Sequence, residues 1–513
     1  MPVRARPSPG GWRASVLRTC IVTCVVLSCA ALALGQDARI ARDCLGECFA
    51  ETADARATLG VLAVTGDKDL LPLFLACARS KDKDFRLFAV QTLADLDDPQ
   101  ADRALRERVQ IDPAYPVRGL ALFHLLRRNA VTTAQLQDAL LTPDDYVRCL
   151  ASVGLIRAGK GNLAAETLDK LTASTNPTAV AIARMCLLQL GHQDQLVPLR
   201  KLLADEKTPD ELAARMLSQI TEEKISAAYE LARQVAESDR VAPLRVRAYE
   251  AMATLSPRTA ETLLLAIGNS NNAILRAHLL EILSRQKDSQ TALKALATGG
   301  DGIAALARFE LARPAGGADA ARAALAALIP RDEKDEHQPA DYYVVRYVLL
   351  RAEQDIKARG EQADFYTPAL AGYIRAISAD TEDLRQEHLL AARATTLLAD
   401  LGTPEAMKEL KELLRGRYDA RLRVVAAGLR HTANRQSAAL AKALLDRPYE
   451  DIVLDATLAL GKTQNPDAET LLARAIRDGK RNPPAVRVLA SWYLLKLRNQ
   501  AQAAAAELAE KLP

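Results

Sequence analysis

Six histidines, eight cysteines and a recurring arginine are the residues of this sequence that could bind a metal, supply a nucleophile or hold an anion. The histidines, His124, His192, His278, His337, His388 and His431, are scattered and none opens an HExxH motif, which would put two imidazoles on one helical face. No metal ligand is assigned among them, and no cofactor is expected. Cys20, Cys24 and Cys29 lie in an apolar run near the N-terminus, and Cys44, Cys48, Cys77, Cys149 and Cys186 follow at spacings that match no zinc module. Cys44 and Cys48 share a helical face, where a disulfide would be strained, and an extracytoplasmic pair between neighbouring helices is the alternative to small buried thiols. There is no GxSxG elbow, no Walker loop and no GxGxxG after a strand. No catalytic residue is therefore assigned, and the chain is expected not to be an enzyme.

The arginines differ because they return. An apolar residue precedes Arg86, Arg118, Arg148, Arg247, Arg276, Arg423 and Arg487, with 32 residues from the first to the second and 30 from the second to the third. Degenerate copies starting at Asn176 and Thr208 fill the gaps. Guanidinium groups along one face would suit carboxylates or phosphates. An acid stands shortly before several of them, Asp84 before Arg86, Asp145 before Arg148 and Asp419 before Arg423, so internal ion pairs compete with that role.

The elements that carry these arginines are legible in the stretch "TPDDYVRCLASVGLIRAGKGN", Thr142 to Asn162. Thr142 is placed to cap free amides, Pro143 to open the helix, and Asp144 and Asp145 to face the positive end of its dipole. Val147, Leu150, Ala151 and Leu155 recur at helical spacing, and Gly159 and Gly161 release the chain. "NLAAETLDKLTAS" then supplies a second, shorter helix. The cap and proline return at Thr208-Pro209, Ser256-Pro257, Thr403-Pro404 and Asn482-Pro483. Apolar residues make up 49% of the chain and aromatics 4%, which suits modest helices packed through small side chains. No alternating strand pattern occurs, so an all-α fold is expected: a right-handed α-solenoid of about a dozen or more stacked helical hairpins, armadillo-like in its superhelix.

An acid, an apolar-Arg step, Ala and Leu, a glycine-bearing turn and a second Leu/Ala helix together resemble HEAT repeats, in particular the short HEAT-like type of the phycobilisome lyases. The resemblance runs from about Ala53 to the C-terminus, is strongest over Thr142 to Ser174 and weakest between Asp301 and Gly416. It implies a scaffold or binding surface more than an activity. It also implies that the repeated arginines form a ladder joining neighbouring units. A HEAT-repeat di-iron hydroxylase resembling the deoxyhypusine enzyme would need His-Glu dipeptides, and no histidine here is followed by Glu.

The first 35 residues differ from the rest. Arg4, Arg6, Arg13 and Arg18 precede the apolar run Cys20 to Leu34, and Ala33 and Gly35 are small residues placed for signal peptidase. Residues 1–35 are therefore expected to be a cleaved signal peptide and the protein periplasmic or otherwise extracytoplasmic. An uncleaved membrane anchor and, with Cys29, a lipoprotein signal are the alternatives. Lys and Arg total 68 against 64 Asp and Glu, and the first 35 residues hold four arginines and no acid, so the remainder is neutral. It lacks the basic footprint of a nucleic-acid binder.

The expected organisation is an N-terminal array over 36–329, a charged loop over 330–341, and a C-terminal array over 342–513 closed by a water-facing capping helix from Arg498. Tyr342, Tyr343, Tyr347, Phe365, Tyr366 and Tyr373 crowd the start of the second array. They are either an aromatic surface gripping a protein or peptide partner, or the bulkier core of an irregular repeat. The leading expectation is an exported, non-enzymatic scaffold that binds proteins on its concave face. A membrane-tethered assembly factor and a lyase-like enzyme acting on a chromophore are the rivals.

Overall fold

The computed structural model describes residues 37–512, apart from 48–51, 206, 257–259, 287–288, 316, 327, 329–338, 376–385, 416–418, 433, 435, 464–467 and 480. The expected signal peptide, most of the charged loop and Cys48 lie outside the described residues. The chain opens with α1 (37–47). Hairpins follow: α2 (Thr52–Ala63) with α3 (Leu71–Cys77), α4 (Lys83–Asp95) with α5 (Pro99–Ile111), α6 (Tyr115–Arg127) with α7 (Thr133–Leu140), and α8 (Asp145–Arg157) with α9 (Ala165–Leu171). Next come α10 (Pro177–Gln189) with α11 (Leu196–Ala204), α12 (Asp210–Glu222) with α13 (Tyr229–Ala236), α14 (Ala242–Leu255) with α15 (Ala260–Asn269), and α16 (Ala273–Ser284) with α17 (Ser289–Ala297). The second half adds α18 (Gly302–Ala315) with α19 (Gly317–Ala326), α20 (Pro339–Arg359) with α21 (Thr367–Arg375), and α22 (Gln386–Leu401) with α23 (Pro404–Leu414). It ends with α24 (Asp419–Leu429) and α25 (Ser437–Leu444), α26 (Glu450–Lys462) and α27 (Ala468–Arg477), and α28 (Pro484–Leu497) and α29 (Ala501–Glu510). Among the described residues there is no strand.

The helix starts show how the local signals operate. Asn176 and Thr403 cap α10 and α23 with a proline at the first helical position. Around α8 the start is shifted from the sequence expectation. Asp144 is the cap, accepting from the Val147 amide at 2.9 Å, while the Thr142 hydroxyl donates back to the Ala139 carbonyl. A carboxylate beside the free amides also gains from the helix dipole, and it displaces threonine from the role. Gly159, at φ +69°, ends the helix in a left-handed conformation that a side chain would strain.

One hairpin cannot bury its own apolar face. Leu93, Leu105 and Leu122, on three successive helices, are 0% exposed because each second helix packs on the first helix of the next hairpin. From α4 onward the first helices also pack on one another: α4 on α6, α6 on α8, and onward through α26 on α28, whereas the second helices touch each other intermittently. At the C-terminal end of this layer Arg157 of α8 reaches past α10 to Glu222, the last residue of α12, and to its C-cap Glu223. Continuous contact among the first helices, against broken contact among the second, places the first helices on the inner side of the curve.

The curve closes. α28 packs on α2 and α29 packs on α3, so the last hairpin lies against the first. The expected water-facing cap is thus an interface helix: Ala501, Ala504, Ala505 and Leu508 are buried. Ionic contacts line the same seam, from Arg42 to Glu507 at 3.0 Å and from Arg498 to Asp37 at 3.7 Å, with Arg477 also on Asp37. A circular inner layer of about a dozen helices at the usual 8–10 Å spacing would enclose a lumen on the order of 20–30 Å across.

Candidate functional site

The repeated arginines divide by what they reach. Arg86 makes a buried two-pronged bond to Asp112 at 2.8 and 3.1 Å and donates to the Ser80 and Lys81 carbonyls. Arg276 reaches Asp301 at 2.8 Å, and Arg423 reaches Asp451 at 2.9 Å. In each case the acid lies at the entry to the following hairpin, not on the arginine's own helix. Asp84 instead sits near Arg56, and Asp419 receives the Tyr449 hydroxyl. Arg148 does pair with Asp145 on its own helix, and Ser174 of the next unit donates to the same carboxylate, holding it below the usual range. Arg118 donates to the Asp112 carbonyl at 2.5 Å and Arg247 to Ser218 of the preceding hairpin at 2.8 Å. Arg487 lies 4.0 Å from Glu47, so the series continues across the seam. These arginines are engaged within the fold.

The aromatic cluster is mostly core. Tyr347, Phe365, Tyr366 and Tyr373 are 4%, 3%, 0% and 4% exposed, so they cannot form the partner-gripping surface that sequence reasoning allowed. The Tyr342 side chain lies outside the described residues. Of the six, Tyr343 and the edge of the buried Tyr347 line a surface depression. The physical reason is an irregular hairpin: α20 packs directly on α16, and α18 sits behind them. A buried ionic network fixes that arrangement, with Arg351 on Glu310 at 2.7 Å, Arg313 on Asp355 at 2.9 Å and the Tyr366 hydroxyl on Asp355 at 2.8 Å. Bulky rings fill the volume that small residues fill elsewhere.

The same irregularity opens a groove on the inner layer. On α22, Leu389, Arg393, Thr396 and Asp400 follow at i, i+4, i+7 and i+11 and form the stripe left uncovered by the outer helices. Leu350, Glu353 and Lys357 of α20, Ala427 of α24 and Arg430 just after it flank it. Gly428 permits the close approach of α24, since a Cβ there would stand 2.4 Å from the Ala392 carbonyl oxygen, and Thr396 donates to the Gly428 carbonyl at 2.9 Å. The cavity between α20, α22 and α24 measures about 380 Å³. Arg393 connects it to a smaller one, about 90 Å³, walled by His278 and Glu281 of α16 and by Tyr343 and Arg346 of α20.

Charges in the groove are perturbed by burial and by each other. Glu353 is held below its ordinary range by the Lys357 ammonium at 2.7 Å and by Arg393. Burial pushes Asp400 up, and it pushes Glu250 up on the adjoining α14, where Glu281 adds to the effect. Burial and the Arg346 guanidinium push His278 down to about 4. His431, at the far end, is lowered by burial and then by Arg430 and Lys462.

The remaining reactive residues are dispersed. Cys77 and Cys186 are buried thiols pushed up to about 12, and burial raises Cys149 as well. His124 and His388 are buried, His192 is exposed, and His337 lies outside the described residues. Among the described residues no three His, Cys, Asp or Glu side chains converge to hold a metal ion, and no helix is long and apolar enough to cross a membrane. The groove was missed in sequence because its residues come from four helices; the i, i+4, i+7, i+11 stripe on α22, with a leucine among charges, is the one local signal of it.

Comparison with known proteins bears on the architecture. Residues 48–125 match the family model for HEAT repeats. A comparison with curated proteins finds no match. Among solved structures, Kap121p bound to Nup53p is similar at 14% identity and a TM-score of 0.34, over 88% of this chain and 56% of that one. The karyopherin Kap121p bound to the extreme C-terminus of the phosphatase Cdc14p gives 13% and 0.31, over 86% and 53%. An engineered protein gives 16% and 0.23, over 78% of this chain and 100% of that one. The chain spans about half the length of the karyopherin chains. Residues 48–125, from α2 into α6, match HEAT repeats, and stacked helical hairpins continue from there to the C-terminus, so the chain is an α-solenoid that contains HEAT repeats.

Proposed function

We propose that this chain is an exported scaffold that holds a segment of another protein against the inner layer of its ring and carries out no chemistry itself. The observation that carries the reading is the groove across α16, α20, α22 and α24, where an exposed Leu389 lies among charged side chains on the concave face. Stacked hairpins supply long concave surfaces of this kind, and partner binding concentrates where an apolar anchor is ringed by polar groups. Export rests on residues 1–35, whose arginines and short apolar run have the form of a cleavable signal.

The test is site-specific photocrosslinking in the native envelope. A crosslinker at Leu389 is expected to trap a defined protein partner. One at Leu141, 84% exposed at the end of the outer helix α7, is expected not to trap it. Equal capture from both positions would remove the inner face from the reading. N-terminal sequencing of the secreted chain is expected to start at Gln36, and recovery of an intact N-terminus in the membrane fraction would replace export with tethering.

A further inference from the structure

The two halves of the groove differ in how their charges are satisfied. Glu353 is fully committed, with Oε1 taken by Lys357 and Oε2 by Arg393. Arg430 has Asp455 at 3.1 Å, and Arg285 has Glu281. Arg346 is the exception: among the described residues no carboxylate forms an ion pair with it, Glu250 of α14 acting on it only from farther away, and its guanidinium lies instead against the His278 ring, 3.4 Å from Nδ1 and hydrogen-bonded at Nε2. Elsewhere in the inner layer the arginine of one hairpin meets the acid that opens the next, as Arg276 meets Asp301. Because α20 packs on α16 with α18 behind, Arg346 faces His278 rather than such an acid. His278, uncharged at neutral pH, accepts a guanidinium N–H but carries no negative charge to set against it. Beside this cation, across Arg393, lies the apolar floor of the larger cavity, with Leu389 65% exposed and Ile356 and Leu397 next to it.

From this pairing of a cation that has no ion-pair partner with an uncovered leucine, we infer that the groove receives an acidic amphipathic segment of a partner protein. A bulky apolar side chain of the segment rests on Leu389, and a carboxylate meets Arg346. The inference rests on the inner layer being the binding face. A basic segment is disfavoured because Glu353 is engaged by two cations and Glu281 by Arg285, and Asp400 has the Thr432 hydroxyl and Lys357 beside it, while among the described residues Arg346 has no carboxylate within ion-pairing distance. Arg346 is exposed and reaches a carboxylate without moving the fold. A guanidinium is well suited to this role, since it binds a carboxylate through paired N–H donors and stays charged at any physiological pH.

The experiment uses the full exported chain and three fluorescein-labelled, helix-forming peptides of about 18 residues. The first carries Leu at i and i+4 with Glu on the flanks, the second has Lys for every Glu, and the third has Ser for every Leu. Fluorescence anisotropy is expected to show the Glu–Leu peptide binding at least about tenfold more tightly than either control. Arg346→Glu and Leu389→Ser are each expected to remove about that tenfold preference, with unchanged far-ultraviolet circular dichroism, while Arg79→Glu, an exposed residue far from the groove, leaves it intact. Equal or tighter binding of the Lys peptide, or an Arg346→Glu chain that still prefers the Glu peptide, would overturn the inference. If Leu389 crosslinks to a partner in the envelope but the peptides show no charge preference, the acidic-segment inference falls and the scaffold reading stands. If the crosslink also fails, both fall.

Discussion

Trp492 donates its indole N–H to the Asp67 carboxylate at 3.1 Å, and Lys496, one turn further along α28, reaches the same oxygen at 2.6 Å. These residues are 425 and 429 positions apart in the chain, so this buried contact joins the last hairpin to the first. Closure removes the two free ends that an open array would have to cap. It also means that a partner bound as proposed would have to enter the lumen along the ring axis or through an opened seam.

Asp67→Ala is therefore expected to loosen the ring. Asp67 is 6% exposed, and its loss leaves a buried indole N–H and a partly buried ammonium unpaired, at a cost of roughly 2–4 kcal/mol. Trp492 reports the change directly, because the other tryptophan, Trp12, lies in the first 35 residues. In the chain without them, red-shifted emission and a lower urea midpoint are expected; unchanged emission would mean that the seam does not depend on this carboxylate.

Removing a ladder acid separates two candidates for Arg86. Asp112→Ala leaves Arg86 and Arg108, 6% and 8% exposed, without their shared carboxylate, and is expected to cost about 3–5 kcal/mol. Asp84→Ala removes an exposed carboxylate and is expected to change stability by about 0.5 kcal/mol or less. Denaturant titration of the two variants checks the ranking, and a larger loss at Asp84 would contradict the geometry.

That contrast shows what the sequence could specify. The step from one arginine to the next is local, repeated and visible, and so is the alternation of longer and shorter helices. The acid that Arg86 uses is 26 residues away, and nothing nearby distinguishes Asp112 from Asp84 before the hairpins stack. Closure is harder still to foresee. It depends on the small rotation of each unit summed around the ring, and "RNQAQAAAAELAEKLP" has the same Ala-rich pattern whether it meets water or α3. The aromatic cluster marked a real irregularity, but side-chain volume alone does not distinguish a filled core from an exposed surface.

Tyr366 provides the corresponding test of that cluster. It is fully buried, it packs on Phe309 with ring centroids 6.0 Å apart, and it donates to Asp355. Tyr366→Ala is expected to cost about 3–5 kcal/mol, and Tyr366→Phe about 1–3 kcal/mol through the lost hydrogen bond alone. At temperatures where the Phe variant remains folded, its peptide binding is expected to match the parent chain. A Phe variant of normal stability that no longer binds would return the ring to the recognition surface.

His278 gives the fold a specific pH dependence. Its imidazole faces Glu281 on its own helix at 3.8 Å and Arg346 on α20, and burial with that guanidinium lowers it from 6.5 to about 4. Because the folded value is depressed, the unfolded chain binds the proton first as pH falls below 6.5, and the stabilisation present above that value declines until pH 4. The loss amounts to on the order of 2 kcal/mol, allowing for partial solvent access. His278→Gln keeps a hydrogen-bonding group against Arg346 but cannot titrate. Urea midpoints measured at pH 7.5, 6 and 5 are therefore expected to fall less steeply in the Gln variant than in the parent chain, the two curves converging at low pH. Parallel curves would show that the imidazole is as easily protonated in the fold as in water, and the unmatched charge of Arg346 would then need another explanation.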